Sequence, residues 1–200
     1  MIKEITKIIK DSKNYTGVMM KEVDNNLQTV FSVISADTYV DDDFNAEYKL
    51  QNKLINLCKK NNNVEEVNIN KSIPENMSKV EHYTDIIELL HTVAQMKIYK
   101  NTKRSVPNYV ICSADFVPLF TFCRDFQVLP ISKVHGTYLN GMFRNIPVLI
   151  SPILDRGEML WGVNDETSPG IVTFVNDKNK ICNKIINDNC FTLVKLEENK

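Results

Sequence analysis

The sequence lacks the patterns that mark several classes of protein. Its five cysteines include no CxxC pair, and zinc sites and disulfide frameworks both need closely spaced, usually paired cysteines. No apolar run approaches the roughly 20 residues that a membrane-spanning helix requires. The first residues carry scattered charges in place of the uninterrupted apolar block of a signal peptide. The sequence therefore predicts a cytosolic protein without a disulfide framework, structural zinc or a membrane segment.

Charge of either sign is also not concentrated anywhere. The chain has 24 Lys and Arg against 25 Asp and Glu, which gives a formal net charge of -1. Proteins that bind the phosphate backbone of nucleic acid gather Lys and Arg into a cluster, and this chain has none. We therefore expect no sequence-specific binding of nucleic acid. The hydrophobic content of 43% is enough for one folded domain or two small units.

Few residues suit catalysis, and none is arranged for it. The glycines are isolated, so no glycine-rich phosphate loop is present. His82 and His91 lack the HExxH spacing of a zinc site. Cys112 and Ser113 are the candidate nucleophiles and His135 the candidate base, although Cys112 also fits a small buried hydrophobe and Ser113 a helix cap. We expect no enzyme activity, no cofactor and no metal, and a small Cys/Ser hydrolase is the alternative.

Apolar spacing predicts the elements of the first half of the chain. Ile2, Ile5, Ile8 and Ile9 share one helical face and predict a surface helix, with a partner-binding arm as the alternative. Residues 27–36 predict a buried strand, with a helix as the alternative. A helix over residues 44–60 follows the acidic triplet 41–43 and ends on two lysines, as the helix macrodipole favours. Capping explains the triplet better than calcium binding, because the glycine and spaced ligands of a calcium loop are missing.

The next elements alternate between strand and helix. Residues 64–73 predict a strand with a polar face, and residues 80–99 predict a second long helix that is more deeply buried than the first. Residues 109–111 predict a strand, with Ser113 as N-cap of a helix over 114–122. Residues 126–140 predict a loop, and two prolines bracket a strand at 146–150.

Short strands and turns complete the chain. Strands are predicted at 159–163 and 170–175, joined by a polar turn at 164–169, with a further turn at 176–179. The end of the chain, 180–196, predicts a hairpin or two edge segments. The order is that of an α+β protein without the regular βαβ rhythm of a nucleotide-binding sheet.

Three runs, NYVICSADFVPLF, GTYLNGMFRNIPVLISPIL and EMLWGVNDETSPGIVTFV, resemble in this order the axial part of tailed-phage major capsid proteins of the Hong Kong 97-type fold. Asn145, Ile146, Pro147 and Val148 stand where that family has its IPV strand. Leu160-Trp161-Gly162 stands where it often has an apolar pair before glycine. The likeness is greatest to the capsid proteins of large and T-even-like phages, and encapsulin shells share the fold.

The resemblance implies a capsid fold with a long spine helix, a peripheral sheet and an axial domain of short strands and helices. It implies a reduced N-terminal arm at 1–41, a peripheral-type domain at 42–79 and 178–200 with the spine helix at 42–60, and an axial-type domain at 80–177. The implied function is a structural subunit that assembles in many copies, with other virion proteins, into a phage head in the host cytoplasm. The alternative is a phage accessory or nanocompartment protein that uses the same fold as a small oligomer.

In the resembled fold, loops of the axial domain surround a local symmetry axis. Residues 126–140 and 164–169 are the candidates for this tip, and Lys133 and Arg144 are the predicted subunit contacts. Loops held by a rigid sheet are suited to such contacts. The alternative is that both segments are solvated turns.

Overall fold

The computed structural model describes residues 4–10, 15–23, 26–35, 38–40, 46–69, 72–103, 106–134, 137–164, 170–175 and 181–198. In chain order, the strands and helices are β1 (Glu4–Lys10), β2 (Tyr15–Val23), β3 (Asn26–Ser35), β4 (Thr38–Val40), α1 (Ala46–Lys60), β5 (Val64–Ile69), α2 (Lys79–Thr102), β6 (Tyr109–Cys112), α3 (Val117–Phe122), β7 (Phe126–Val134), β8 (Thr137–Phe143), β9 (Ile146–Ile150), β10 (Glu158–Gly162), β11 (Ile171–Val175), β12 (Ile181–Ile185) and β13 (Phe191–Glu198). The protein is α+β, as predicted.

The chain divides into two units. One consists of Met1–Leu50 and Ile171–Ile186, and the other of Gln51–Gly170 and Asn187–Lys200. The arm, peripheral and axial assignments describe a subunit inside a shell, and they stay a prediction. A helix is found where the spine helix was predicted, but it has 15 residues, and α2 with 24 residues is the longer helix.

The first unit contains two three-stranded antiparallel sheets, with strand orders β1-β2-β3 and β11-β12-β4. The strand predicted at 27–36 is confirmed as β3. The surface helix predicted from the isoleucines is wrong, because Ile5, Ile8 and Ile9 lie in β1. Isoleucine and threonine are stiff at χ1 and pack well on a pleated strand, and this preference outweighs a short helical spacing. Ile2 and the triplet 41–43 lie outside the described residues.

The second unit is built on a seven-stranded mixed sheet with the order β5-β13-β10-β6-β9-β8-β7. Two neighbouring pairs are parallel, β13 with β5 and β6 with β9, and the other pairs are antiparallel. One face carries Val110, Val148 and Trp161, which pack into a single core with the buried side of α2 and with Phe120 of α3. Because strand residues alternate between faces, Ile111, Leu160 and their neighbours point the other way.

Helix α1 from Gln51 onward meets this second face. The Ser151 hydroxyl donates to Gln51 Oε1 at 2.5 Å, and Lys59 Nζ lies 3.0 Å from Glu158 Oε1. Ile111, Leu160 and the adjacent apolar residues of this face are buried, as is Leu54 of α1. The second unit therefore has three layers, with α2 and α3 on one side of the sheet and α1 on the other.

The two helices of the first half are confirmed, and the ends of α2 follow helix-capping rules. Ser78 caps α2 through a capping box, in which its hydroxyl accepts from Glu81 N while the Glu81 carboxylate accepts from Ser78 N. Lys103 ends the helix in the left-handed conformation and donates its backbone N–H to Tyr99 O. The strand predicted from residue 64 is confirmed as β5, which ends at Ile69.

The last strand differs from its prediction. Residues 180–196 do not form a hairpin, because β12 pairs in the first unit whereas β13 lies inside the seven-stranded sheet between β5 and β10. The Phe191 ring lies against Gly162 on β10, where a Cβ atom would collide with it. Phe191, Leu193 and Val194 are fully buried, which an edge strand with one exposed face would not allow.

The segment after α3 also differs from its prediction. Residues 126–140, predicted as a loop, form the hairpin of β7 and β8, with a register shift between Val128 and Ser132 that contains Pro130. Proline is tolerated in a strand at an edge or a bulge, and β7 offers both. The helix predicted at 114–122 is a 3-10 turn at Ala114–Phe116 followed by α3. The turns at 165–169 and 176–179 lie outside the described residues.

Replacing Leu54 with Asp tests the burial of α1. The side chain of Leu54 has no exposed surface, so the change places an unpaired carboxylate in the apolar layer. We expect the free energy of unfolding to fall by about 3–5 kcal/mol, measured by urea titration. Asn52→Asp, at an exposed position two residues earlier, is the control and should melt like the parent. Equal stability of the two variants would contradict the packing of α1.

Candidate functional site

Ser113, a predicted nucleophile, is held in a local network at the end of β6. Its side chain is buried, and its hydroxyl lies 2.5 Å from Asp115 Oδ1 and 3.2 Å from the carbonyl oxygen of Glu158. The second oxygen of Asp115 accepts from Gly157 N at 3.1 Å, where Gly157 adopts a φ of 80°. Ser113 occupies the N-cap position but makes no side-chain cap hydrogen bond. The network ties the end of β6 to the start of β10.

Of the other members of the predicted hydrolase, the structure describes Cys112 but not His135. Cys112 is fully buried, and burial raises the pKa of its thiol, with the nearby Asp115 carboxylate adding to the effect. A nucleophilic cysteine needs a lowered pKa. His135 lies outside the described residues, and no histidine partner is found for the Ser113 hydroxyl among the hydrogen bonds of the described residues. Asp115 acts on Ser113 as a fixed acceptor that also holds Gly157.

A groove of about 450 Å³ opens beside this network, at the carboxyl ends of the parallel strands β6 and β9. Its walls are mostly apolar, and Ser113 and Ser151, which follow the two strands, contribute its polar atoms together with Asp115 and Arg156. Both hydroxyls are already engaged, that of Ser151 with Gln51. Within the described ranges, no group of three or more His, Cys, Asp or Glu is placed to hold a metal ion. The groove therefore has little fixed polarity with which to select a ligand.

Arg144, a predicted subunit contact, lies in the turn between β8 and β9. Arg144 and Asn145 have φ values of 47° and 67°, the two positive values of a tight hairpin turn. The guanidinium donates to Asp125 Oδ2 at 2.6 Å and pairs with Glu88 of α2. About two fifths of the arginine side chain stays exposed, at 44%. Arg144 thus links three elements of its own chain and still has surface for a neighbour.

Lys133, the other predicted contact, is placed opposite Tyr138 in the β7–β8 hairpin. Its side chain lies outside the described residues. The predicted contacts therefore sit on neighbouring hairpins, and their role between subunits stays a prediction.

His91 lies on α2 and packs against aromatic side chains of the sheet. Its ring centroid is 5.2 Å from that of Trp161 and 5.9 Å from that of Phe143, both in edge-on geometry. Burial lowers the pKa of His91, the positive Arg144 lowers it further, and Glu88 opposes both. Nε2 of His91 and Nε1 of Trp161 are buried without a protein partner. His91 thus packs as part of an aromatic cluster between α2 and the sheet.

A surface that the sequence did not reveal lies along β5. This strand has a hydrogen-bonded neighbour on one side only among the described strands. A shallow groove of about 300 Å³ runs beside it, and Met96 in its wall is 67% exposed. We call this the edge surface, and it consists of Glu65, Glu66 and Asn68 of β5 with Val93, Met96, Lys97 and Lys100 of α2. Lys97 Nζ lies 2.7 Å from Glu65 Oε1 and joins the strand to the helix.

The apolar residues of α2 gave a partial indication of the edge surface in the sequence. Leu89, Met96 and Tyr99 extend the apolar residues of the helix beyond the arc that the core covers, and all three are exposed. The open edge could not be foreseen, because it depends on which strands pair. Among the described residues, no helix is long and apolar enough to cross a membrane.

The pH dependence of unfolding tests the environment of His91. A histidine whose pKa is lowered by folding binds its proton more readily in the unfolded chain. Its contribution to the free energy of unfolding is therefore complete above the unfolded pKa of about 6.5 and is lost as the pH falls. The wild-type free energy of unfolding should therefore fall more between about pH 7.5 and 5.5 than that of His91→Gln. Parallel profiles for the two proteins would show that Trp161, Phe143 and Arg144 do not perturb His91.

No protein-family model matches the sequence, and no curated protein matches it either. Among solved structures, the chain is similar to that of a virus-like particle from Pyrococcus furiosus, with a TM-score of 0.39 and 10% sequence identity. The similarity covers 94% of this chain and 88% of the other. It is a loose overlap along nearly the whole of both chains, and at this TM-score it assigns neither a family nor a function.

Proposed function

We propose that the protein is a structural subunit that self-assembles into a shell, and more specifically a viral major capsid protein of the Hong Kong 97-type fold. The alternative is a nanocompartment or accessory protein with the same fold in a smaller assembly. The subunit performs no chemical step in either role. Its function is to present surfaces that fit further copies, and repeated contacts between different surfaces close into rings when the rotation permits.

The observation that carries the proposal is the edge surface. An unpaired strand edge is a template for another chain, and proteins that remain monomeric usually protect such edges with proline, lysine or a bulge. β5 has the sequence VEEVNI, which contains no proline, lysine or bulge. Its two charged residues are Glu65, which is paired with Lys97, and the exposed Glu66. The exposed apolar residues of α2 next to it add surface that is suited to association.

The arrangement of the strands supports the more specific role. The three runs that resemble capsid proteins contain β6, β8, β9, β10 and β11. Four of these strands are adjacent in the large sheet in the order β10-β6-β9-β8, whereas β11 pairs in the first unit. The network of Ser113, Asp115 and Gly157 fixes the turn that joins two of them. Polar residues that serve to position strands are typical of a scaffold, and they weigh against the hydrolase alternative.

Particle formation tests the proposal directly. The purified full chain should elute as a particle of many copies, and negative-stain images should show closed shells of uniform size. A single species with the mass of one chain over a wide range of protein concentration and salt would contradict it. Nucleic acid that stays with the particles after nuclease treatment would favour a viral capsid, whereas particles with protein contents alone would favour a nanocompartment.

The role of Arg144 between subunits is tested by separating it from its role inside the chain. Arg144→Gln removes both, whereas the double variant Glu88→Gln/Asp125→Asn removes only the internal partners. Exposed pairs of this kind contribute about 0.2–1 kcal/mol each, so both variants should fold. If Arg144 contacts a neighbour, light scattering should show weaker assembly for Arg144→Gln, and for Lys133→Gln, but not for the double variant. Equal assembly by all three would contradict the predicted contacts.

A further inference from the structure

The backbone direction of β5 determines which of its groups are open to a partner. Leu193 N donates to Asn63 O at 2.9 Å, and the parallel register places Leu193 of β13 opposite Val64. Backbone groups alternate in a parallel ladder, so residues 65 and 67 turn theirs toward β13. Glu66 and Asn68 therefore direct their N–H and C=O groups away from the sheet.

The side chains of β5 alternate in the same way. Val67 and Ile69 are buried in the core beneath α2, and Glu65 pairs with Lys97 on that face. Glu66 and Asn68 are exposed on the opposite face. The strand thus offers polar side chains on one face and, on the other, the apolar wall that ends at Met96.

The other edge of the sheet is closed to the same kind of contact. β7 contains Pro130, which has no N–H to donate, and its register with β8 shifts between Val128 and Ser132. These are the devices by which natural sheets prevent edge pairing. A partner that extends the sheet is therefore expected at β5 and not at β7.

We propose that β5 pairs antiparallel with β5 of a second copy, about a two-fold axis through Val67. Glu66 then lies opposite the partner's Asn68, and Asn68 opposite the partner's Glu66, in pairs that exchange backbone hydrogen bonds. An amide opposite a carboxylate provides a donor for an acceptor, so no like charges meet. A shift that places Glu66 at the axis would set two carboxylates against each other, which destabilises a cross-strand pair.

The position of α2 is compatible with this two-fold axis. Because α2 covers the face of Val67 and Ile69, a two-fold axis perpendicular to the sheet brings both α2 helices to the same face of the joined sheet. The groove between Glu65 and Met96 then faces its own symmetry mate, and the exposed Met96 becomes covered. Apolar area that one copy leaves in water is removed from it by the second.

This inference rests on the proposed function for its biological role. Contacts between different surfaces of successive subunits close into a ring, but a ring alone encloses no volume. A second contact must join one ring to the next, and an interface between identical surfaces is the simplest that does so. The β5 pair supplies this contact.

Disulfide trapping tests the pairing in the full chain. Cα atoms of a hydrogen-bonded antiparallel pair are about 5.5 Å apart, within the range that a disulfide spans. After mild oxidation, Glu66→Cys/Asn68→Cys should run as a covalent dimer on a non-reducing gel. Every variant also carries Cys182→Ser, because the side chain of Cys182 lies outside the described residues. The Cys182→Ser parent and its Glu66→Cys variant should not form the dimer, because Cys58, Cys112, Cys123 and Cys190 are buried and residue 66 does not face itself.

Three results would overturn the pairing or separate it from the proposed function. Particles that form while the double variant yields no covalent dimer would contradict the β5 interface and leave the shell function intact. Equal trapping by Glu66→Cys alone would contradict the axis at Val67. Covalent dimers without particles would support the interface and contradict the shell.

Changing the charges that face each other across the axis provides a second measurement, which needs no oxidation. Asn68→Glu places carboxylates opposite each other twice across the axis, and we expect the dissociation constant of the dimer to rise roughly tenfold, or about 1.4 kcal/mol. Adding Glu66→Lys should restore association, because each new lysine faces the partner's new carboxylate. Circular dichroism of dilute samples checks that both variants fold. Unchanged association of Asn68→Glu in folded protein would contradict the pairing.

Discussion

The structure of the larger unit depends on the insertion of the last strand between β5 and β10. β13 is parallel to β5 and antiparallel to β10, so it joins a strand from the first half of the chain to the strands of the second half. Phe191, Leu193 and Val194 are fully buried there. Removing β13 would leave the facing edges of β5 and β10 unpaired and separate β5 from the sheet. The same insertion makes β5 an edge, and the edge surface follows from it.

The local sequence pattern was sufficient to predict an element where residues close in the chain determine its structure. The helix from residue 80 has a capping box at Ser78 and Glu81 and a wide apolar arc, and it was predicted within a few residues of its ends. The strand at residues 146–150 was predicted from the prolines at its margins. The isoleucines of β1 were assigned to a helix, because a short run with branched side chains fits both periods and the β2 pairing decides between them.

Long-range pairing could not be read from the chain. Whether β13 lies at an edge or in the middle depends on its pairing with β5, more than a hundred residues away, and a short apolar run looks the same in both places. For the same reason, the candidate contacts in the hairpins were found from a resemblance, whereas the β5 edge became visible only when the strand order was known. Arg144 shows the remaining difficulty, since an exposed arginine in a turn gives no sign that Glu88 and Asp125 already bind it.

Site-resolved amide hydrogen exchange of dispersed and assembled protein tests most directly the claim that the open edge of β5 is used in assembly. Residues 65 and 67 donate within the sheet, so their amides should exchange slowly in both states. The amides of Glu66 and Asn68 point outward, and they should exchange quickly in the dispersed chain and slowly in the assembled one. Fast exchange of Glu66 and Asn68 in assembled particles would contradict the account, as would slow exchange of both in the single chain.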